Sequence, residues 1–294
     1  MLTEFITKHK LGKEFLHTAI KWYIPLAEQL HQHHHGAKKT FYVGLNGSQG
    51  SGKSTLADFL KSYLHDKYQL NVIVMSLDDF YLDQSQRLAL SIKVHPLCKT
   101  RGVPGTHNIA HARQLLSDLG KAHKALALPR FDKATDNPQP EKSWPTTQAP
   151  VDIVIFEGWC WGVEAQDDAS LNTPINELER CEDETAVWRR YVNRQLATHY
   201  QPLYPLMDFW IMLKAPSFED VYSWRLEQEQ KLIAATTDVN AQGLMIPGQI
   251  SHFIQYYQRL TEHGLNTLAD KCDWVFELDP SRQIVKAISR CEHA

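Results

Sequence analysis

Three groups of residues in this chain have the types and spacing to handle a phosphate. The first is Gly47-Ser48-Gln49-Gly50-Ser51-Gly52-Lys53-Ser54, followed by Thr55. It matches Gly-x-x-x-x-Gly-Lys-[Ser/Thr], the phosphate-binding P-loop pattern, at every fixed position. Gly47, Gly50 and Gly52 permit backbone angles that side chains resist, so backbone N–H groups can close around an anion. Residues 47–55 are therefore the expected nucleotide cradle. Lys53 can reach the β- and γ-phosphates of ATP, and the Ser54 hydroxyl can ligate Mg²⁺. The second group is the adjacent pair Asp78-Asp79. One carboxylate beside a transferable phosphate can accept the proton of an acceptor hydroxyl. The other is expected to support Mg²⁺ or to cap the segment that follows. The third is Glu157, which can hold Mg²⁺ or its water as a Walker B carboxylate does.

These residues need rigid elements behind them, and the flanking sequence supplies them. Residues 41–45 are apolar and partly β-branched, as a buried strand should be. After the glycine loop, Leu56, Phe59, Leu60 and Tyr63 fall at helical spacing. Residues 71–75 and 151–156 read as two more strands, ending just before Asp78 and Glu157. In an open α/β sheet the carboxyl ends of strands face the ligand crevice, so all three groups meet at one edge. Residues 208–213 and 273–278 are the fourth and fifth strands. Further helices are expected over 108–121, 188–196, 217–231 and about 250–265, with Asn108 and Ser217 as N-caps.

The remaining segments are appendages. Residues 3–35 read as helical, broken near Gly12, with Pro25 starting or kinking a turn. They end in a histidine cluster at 31–35 before Gly36, read as a solvated helix end with metal binding as the alternative. Residues 83–107 read as mostly loop and carry Arg101 and His107, candidates for a substrate anion. Residues 126–133 form an extended stretch that can deliver Arg130 and Lys133 to the same anion. Four prolines between positions 138 and 150 mark a surface connection. Arg225 and Lys231 are candidates for a helical lid over 217–247.

Composition narrows the functional classes. A chain of 294 residues suits one large α/β domain with appendages, and a formal net charge of −3 offers no basic field for nucleic acid. No apolar run is long enough to span a bilayer, and the first residues lack a signal peptide's apolar core. Five scattered cysteines suit a reducing cytoplasm, so a cytoplasmic location is expected.

Six stretches occur in a telling order: the glycine loop, Ser76-Leu-Asp-Asp-Phe-Tyr81, Arg101-Gly-Val-Pro-Gly-Thr-His107, Pro129-Arg-Phe-Asp-Lys133, Phe156-Glu-Gly-Trp159 and Tyr222-Ser-Trp-Arg-Leu-Glu-Gln-Glu229. The series resembles the D-glycerate 3-kinase group of P-loop kinases, within the phosphoribulokinase, uridine kinase and pantothenate kinase superfamily, over about residues 40–280. The resemblance implies that the catalytic base falls on Asp78, the Walker B acid on Glu157 and the lid arginine on Arg225, with ATP and Mg²⁺ as cofactors. It implies a small hydroxyl-bearing substrate such as glycerate, with no nucleic acid and no membrane as partner. The expected architecture is a P-loop kinase fold: a five-stranded parallel sheet in order 2-3-1-4-5, with helices on both faces. A helical extension over 1–39 precedes a kinase domain over 40–294, which carries a substrate-binding insertion at about 83–150 and the lid. Two departures bear on the substrate. Val-Pro replaces the plant-like Asn-Ala within the 101–107 stretch, and no Gly-Arg-Gly-Asp-Arg follows Lys133. A nucleoside, sugar or pantothenate-type kinase is the alternative among enzymes. A regulatory or assembly ATPase is the alternative of another class, one that needs no hydroxyl base.

Overall fold

A strand that is apolar along its whole length has no polar face for water and must be covered on both sides. In a computed structural model of the chain, which describes residues 2–37, 39–121, 124–235 and 247–290, that rule builds the centre. Strand β3 (Ile153–Gly158) is buried at every position. It lies between β1 (Phe41–Gly47) and β2 (Val72–Ser76), with β4 (Phe209–Lys214) and β5 (Trp274–Leu278) continuing beyond β1. These neighbours pair in parallel, giving the order 2-3-1-4-5.

The sheet is nevertheless six-stranded and mixed, which corrects the expectation of five parallel strands. Beyond β5 lies β6 (Ile284–Ser289), antiparallel to it. The chain turns back tightly: Asp279 N–H donates to the Gln283 carbonyl at 2.9 Å, and Arg282 takes a left-handed φ of 67°. The segment is partly exposed along its length, so it lacks the unbroken apolar run that marks a central strand.

Register sets the level of the site. Glu157 lies opposite Leu45 of β1 on one side and Ser76 of β2 on the other. The glycine loop after β1 and the Asp78 turn after β2 therefore flank the end of β3. Helix α2 (Lys53–Tyr68) follows the loop and buries Leu56, Phe59, Leu60 and Leu64 against the sheet.

At the N-terminus, a helix at Leu2–Lys8 is followed by a break across Gly12, a short turn and a π-helical stretch, Ala19–Tyr23. The wider turn precedes Pro25, whose missing N–H and bulky ring disturb the normal ladder. Helix α1 (Ile24–Ala37) then docks on α2: Glu28 accepts from the Tyr63 hydroxyl and from Lys67, each at 2.6 Å, and from the Tyr68 hydroxyl. The histidine cluster is not simply a solvated end. His31 stacks on Tyr68 at 3.6 Å and His33 lies against Phe209 at 5.3 Å, and the helix runs through Gly36.

The insertion is more ordered than a loop. Helix α3 (Gln84–Lys93) starts at a capping box of Asp83 and Gln86. Its buried side chain is Arg87, a charge, so the apolar spacing that announces a helix is absent. Helix α4 (Ile109–Leu119) is capped by Asn108, as expected. Two small ribbons follow, pairing Ala125–Ala127 with Thr146–Gln148 and Phe131–Asp132 with Asn137–Pro138. Helix α5 (Phe218–Ala235) and helix α6 (Pro247–Thr267) pack on each other, and α6 meets the insertion through Tyr257. Residues 236–246 of the expected lid and the side chain of Lys231 lie outside the described residues. Among the described residues no helix is long and apolar enough to cross a membrane.

Candidate active site

The glycine loop is a cradle made by backbone. Gly50 and Gly52 sit at φ of +79° and +92°, where a side chain is strained. Helix α2 begins at Lys53 with Gly52 as its N-cap, so no side chain caps the first turn. The N–H groups there have no partner inside the helix and point, with the helix dipole, toward an anion. Three polar atoms around the loop are buried without any hydrogen-bond partner: Ser48 Oγ, Gln49 Oε1 and Ser51 Oγ. Buried polar atoms are nearly always paired, so a cluster of orphans marks a place built for a ligand. The cradle fits a nucleotide's phosphates on these grounds.

Glu157 closes the cradle from β3. It is 4% exposed; Ser54 Oγ donates to its Oε1 at 2.9 Å, and Lys53 Nζ lies 3.7 Å from its Oε2. A hydroxyl and a carboxylate at one point are the oxygen donors that a small hard cation such as Mg²⁺ takes. Asn46 braces this corner by donating to the carbonyls of Trp159 at 3.2 Å and Trp161 at 2.8 Å.

The two adjacent aspartates do different work. A turn at Leu77–Phe80 starts from Ser76, which caps Asp78 N–H. Asp79 reaches back to Ser76 N–H at 3.4 Å, accepts from Phe131 N–H at 3.3 Å and pairs with Arg130 at 3.4 Å. It ties the β2 turn to the Phe131 ribbon, and burial pushes its carboxyl upward. Asp78 faces the other way. Tyr81 OH donates to its Oδ1 at 2.9 Å and Lys133 Nζ to its Oδ2 at 2.8 Å, and the side chain remains 28% exposed. Burial disfavours its charge, but Lys133 and Lys53 outweigh that and hold the carboxyl well below the usual carboxylate range.

Around Asp78 stands a wall of rings. His107 is 5% exposed, stacks on Tyr81 at 4.5 Å, and shares a 2.7 Å hydrogen bond between Nδ1 and Tyr200 OH. Its Nε2 is buried without a partner, and burial pushes its pKa down to about 3, so the ring is neutral at pH 7. Arg101 pairs with Asp136 at the tip of the Phe131 ribbon, and Arg87 binds the same carboxylate at 2.6 Å. Tyr257 OH donates to the Arg101 carbonyl at 3.2 Å and its ring meets Trp159 at 4.9 Å. From α5, Trp224 packs on the P-loop, where a Cβ on Gly50 would come within 2.8 Å of it. Arg225, the next residue, lies over the Phe253 ring at 5.8 Å.

The expected site residues thus fall into contact groups. Lys53, Ser54 and Glu157 touch; Asp78 and Lys133 touch; Asp79 and Arg130 touch. Arg101 is engaged by Asp136, and His107 reaches Asp78 only by way of Tyr81. The sequence reading gave no role to Tyr81, Asn46, Asp136 or Tyr257. Tyr81 lay inside the quoted Asp-Asp-Phe-Tyr stretch, three residues from Asp78, and was the one within reach of local spacing.

Comparison with known proteins bears on the fold and the kinase family. No family model matches the chain. An uncharacterized kinase of Schizosaccharomyces pombe is 33% identical over 244 residues, covering 79% of this chain and 84% of that protein. The chloroplastic D-glycerate 3-kinase of Arabidopsis thaliana is 27% identical over 235 residues, which is 77% of this chain but 48% of that longer protein. Among solved structures, a D-glycerate 3-kinase from Cryptococcus neoformans superposes with a TM-score of 0.73 at 25% identity, covering 95% of this chain and all of its own. With the glycine loop, Glu157 and Asp78 at one sheet edge, the chain belongs to the P-loop kinases, in the family of the Schizosaccharomyces pombe kinase, and it is similar to the D-glycerate 3-kinases.

Proposed function

We propose that this kinase transfers the γ-phosphoryl group of ATP to a hydroxyl of a small hydroxy acid, with D-glycerate the first acceptor to test. The observation that carries the reading is Asp78: a carboxylate on the cradle's edge, held charged by Lys133 and Lys53. A switching ATPase has no use for a charged base on the acceptor side. The names of two relatives support glycerate as the acceptor.

Residues 47–55 would hold the nucleotide, and Ser54 and Glu157 would hold Mg²⁺. Mg-ATP, when bound, supplies the group that is transferred. Asp78 orients the acceptor hydroxyl and takes its proton. Lys53 and, from the lid helix, Arg225 neutralise charge that develops on the phosphoryl oxygens. Arg101, His107, Arg130 and Lys133 ring the acceptor side and are assigned to the substrate's carboxylate, with Lys133 nearest the base. Asp79 contributes by holding the β2 turn against the ribbon; a role on Mg²⁺ would require it to leave Arg130 and two backbone N–H groups.

The test is ATP consumption against a panel of hydroxy acids, sugars, nucleosides and pantothenate. D-glycerate or a close hydroxy acid should give the highest kcat/KM. Turnover of a nucleoside or pantothenate without any hydroxy acid would replace the reading, and ATP hydrolysis that no acceptor stimulates would favour the regulatory ATPase.

A further inference from the structure

The base is not free to act as it stands. Asp78 has two oxygens, and each holds a donor: Tyr81 OH on Oδ1 and Lys133 Nζ on Oδ2. Each oxygen keeps a further lone pair for an acceptor hydroxyl, but with the Lys133 ammonium at 2.8 Å the carboxylate is a weak proton acceptor, and it strengthens when that cation leaves. Tyr81 is the fixed donor. It is 5% exposed, its ring stacks on His107 and meets Phe131 at 5.3 Å, and its backbone bridges that of His107. Lys133 is the movable one. Its side chain is 63% exposed and extends from the short turn of the Phe131 ribbon.

Water can take up the exposed Lys133 ammonium, so the pair opens at little cost, but a second anion shifts the balance much further toward the open state. A neutral alcohol offers no such anion. An acceptor with its own carboxylate does. The other cations on this side are already engaged, Arg101 by Asp136 and Arg130 by Asp79. On the proposed reading of the acceptor side, we infer that Lys133 is the specificity-determining residue: it masks the catalytic carboxylate until the substrate's own anion draws it away. With Lys133 moved, the hydroxyl proton passes to Asp78 Oδ2. The acceptor oxygen bonds to the γ-phosphorus as the bond from that phosphorus to the β–γ bridging oxygen breaks, and ADP leaves with the electron pair.

The test compares D-glycerate with glycerol, acceptors that share the reacting hydroxyl and differ in the anion. The ratio of their kcat/KM values is taken within one preparation, so any inactive fraction cancels. Lys133→Met should lower the glycerate-over-glycerol ratio by about 10²-fold or more, because a site built to bind a polar group discriminates through it. Lys133→Arg, which keeps a cation, should hold the ratio within about tenfold of the wild type. A second readout is the acid limb of the kcat/KM profile, which reports the free enzyme, where Lys133 sits on Asp78. Asp78 faces Lys53, Lys133 and His107, with Tyr81, Cys160, Tyr257 and Asp79 also near. Removing Lys133 leaves burial less opposed, so in Lys133→Met the limb should move to higher pH. Without nucleotide, calorimetry should also find D-glycerate bound at least about tenfold more weakly by Lys133→Met. If the wild type prefers glycerate but Lys133→Met keeps the same ratio or the same acid limb, the inference falls and the glycerate reading stands. If the wild type phosphorylates neither acceptor and instead a nucleoside or pantothenate, both fall together.

Discussion

In the proposed reading, the donor side and the acceptor side of this site are built by opposite means. On the donor side, residues 47–54 form a contiguous loop whose backbone makes the cradle, and its polar side chains at 48, 49 and 51 are left without partners. On the acceptor side, the cations are long side chains, each paired with a carboxylate far along the chain. Lys133 reaches back 55 positions to Asp78, Arg87 reaches 49 positions to Asp136, and Arg101 reaches 35 to the same carboxylate. A backbone cradle tolerates exchanges of its exposed side chains but not an added Cβ. A side-chain lattice can change its ligand by a single substitution while the sheet beneath stays intact. Such a fold can therefore keep its donor chemistry while its acceptor changes.

The sharpest way to break the comparison is Asp78→Asn. It removes a base from the acceptor side and nothing from the cradle. The variant should lower kcat by about 10²–10⁴, the usual share of general base catalysis. Affinity for Mg-ATP should stay near that of the wild type. Because Lys133 and Lys53 hold Asp78 below its ordinary value of 3.8, the wild-type base is charged at every pH above that value. The wild-type kcat/KM profile should accordingly show no acid limb from this group near pH 4. A variant with wild-type kcat on its true acceptor would sink Asp78 as the base.

Lys53→Ala acts on the other side. It removes one electrostatic stabiliser from the cradle, which costs about 10²–10³ in rate. The side chain touches Glu157 at the sheet's open edge rather than the core, so the melting temperature should hardly move. Near-normal turnover would mean that the loop does not hold the reacting phosphate. Next comes Gly50→Ala, which tests whether the cradle is a backbone object. The new Cβ would need a φ of +79° and would lie 2.8 Å from Trp224 Cβ. Strain of that kind is worth roughly 1–3 kcal/mol. The variant should melt lower and lose most of the thermal shift that Mg-ATP confers on the wild type. An unchanged shift would show the loop to be slack.

How much of this the sequence disclosed follows the same division. The P-loop was readable because its function depends on neighbours in sequence. The order of the parallel strands was readable because right-handed crossovers leave few arrangements for five buried runs. Strand β6 was missed because an edge strand is half-solvated and has no unbroken apolar run. Helix α3 was missed because its buried face is built on Arg87, whose counter-charge, Asp136, sits at φ 54° on a ribbon tip that no local pattern announces. The pair Asp78-Asp79 was visible as chemistry, and one local cue separates the two: Ser76 stands three residues before Asp79, the spacing of a capping box. The ribbon, which no local pattern announces, widens the difference by bringing Phe131 N–H and Arg130 to one and Lys133 to the other.

That difference predicts the smallest effect of the series. Asp79→Asn keeps the shape of the turn and one acceptor oxygen but loses the ionic contact to Arg130. It also loses one of the two oxygens shared between Ser76 N–H and Phe131 N–H. The loss should be about 1 kcal/mol in stability, the net worth of a typical hydrogen bond, and no more than about tenfold in kcat. The pH dependence has a definite sign. Burial raises the carboxyl of Asp79 above its ordinary 3.8, so the folded state holds its proton more tightly than the unfolded state. Stability from this group is present below 3.8 and is lost as pH rises through the folded value. Asparagine does not titrate, so the variant's deficit against the wild type should be larger at pH 3 than at pH 7. Denaturant melts at the two pH values measure it directly, and a deficit that grows toward pH 7 would mean that Arg130 and the backbone stabilise the charged form more than burial penalises it. Raising Mg²⁺ supplies the remaining control. A kcat loss insensitive to Mg²⁺ keeps Asp79 as the clasp between the β2 turn and the ribbon, whereas a loss that vanishes at high Mg²⁺ would move it onto the metal and erase the division of labour between the two aspartates.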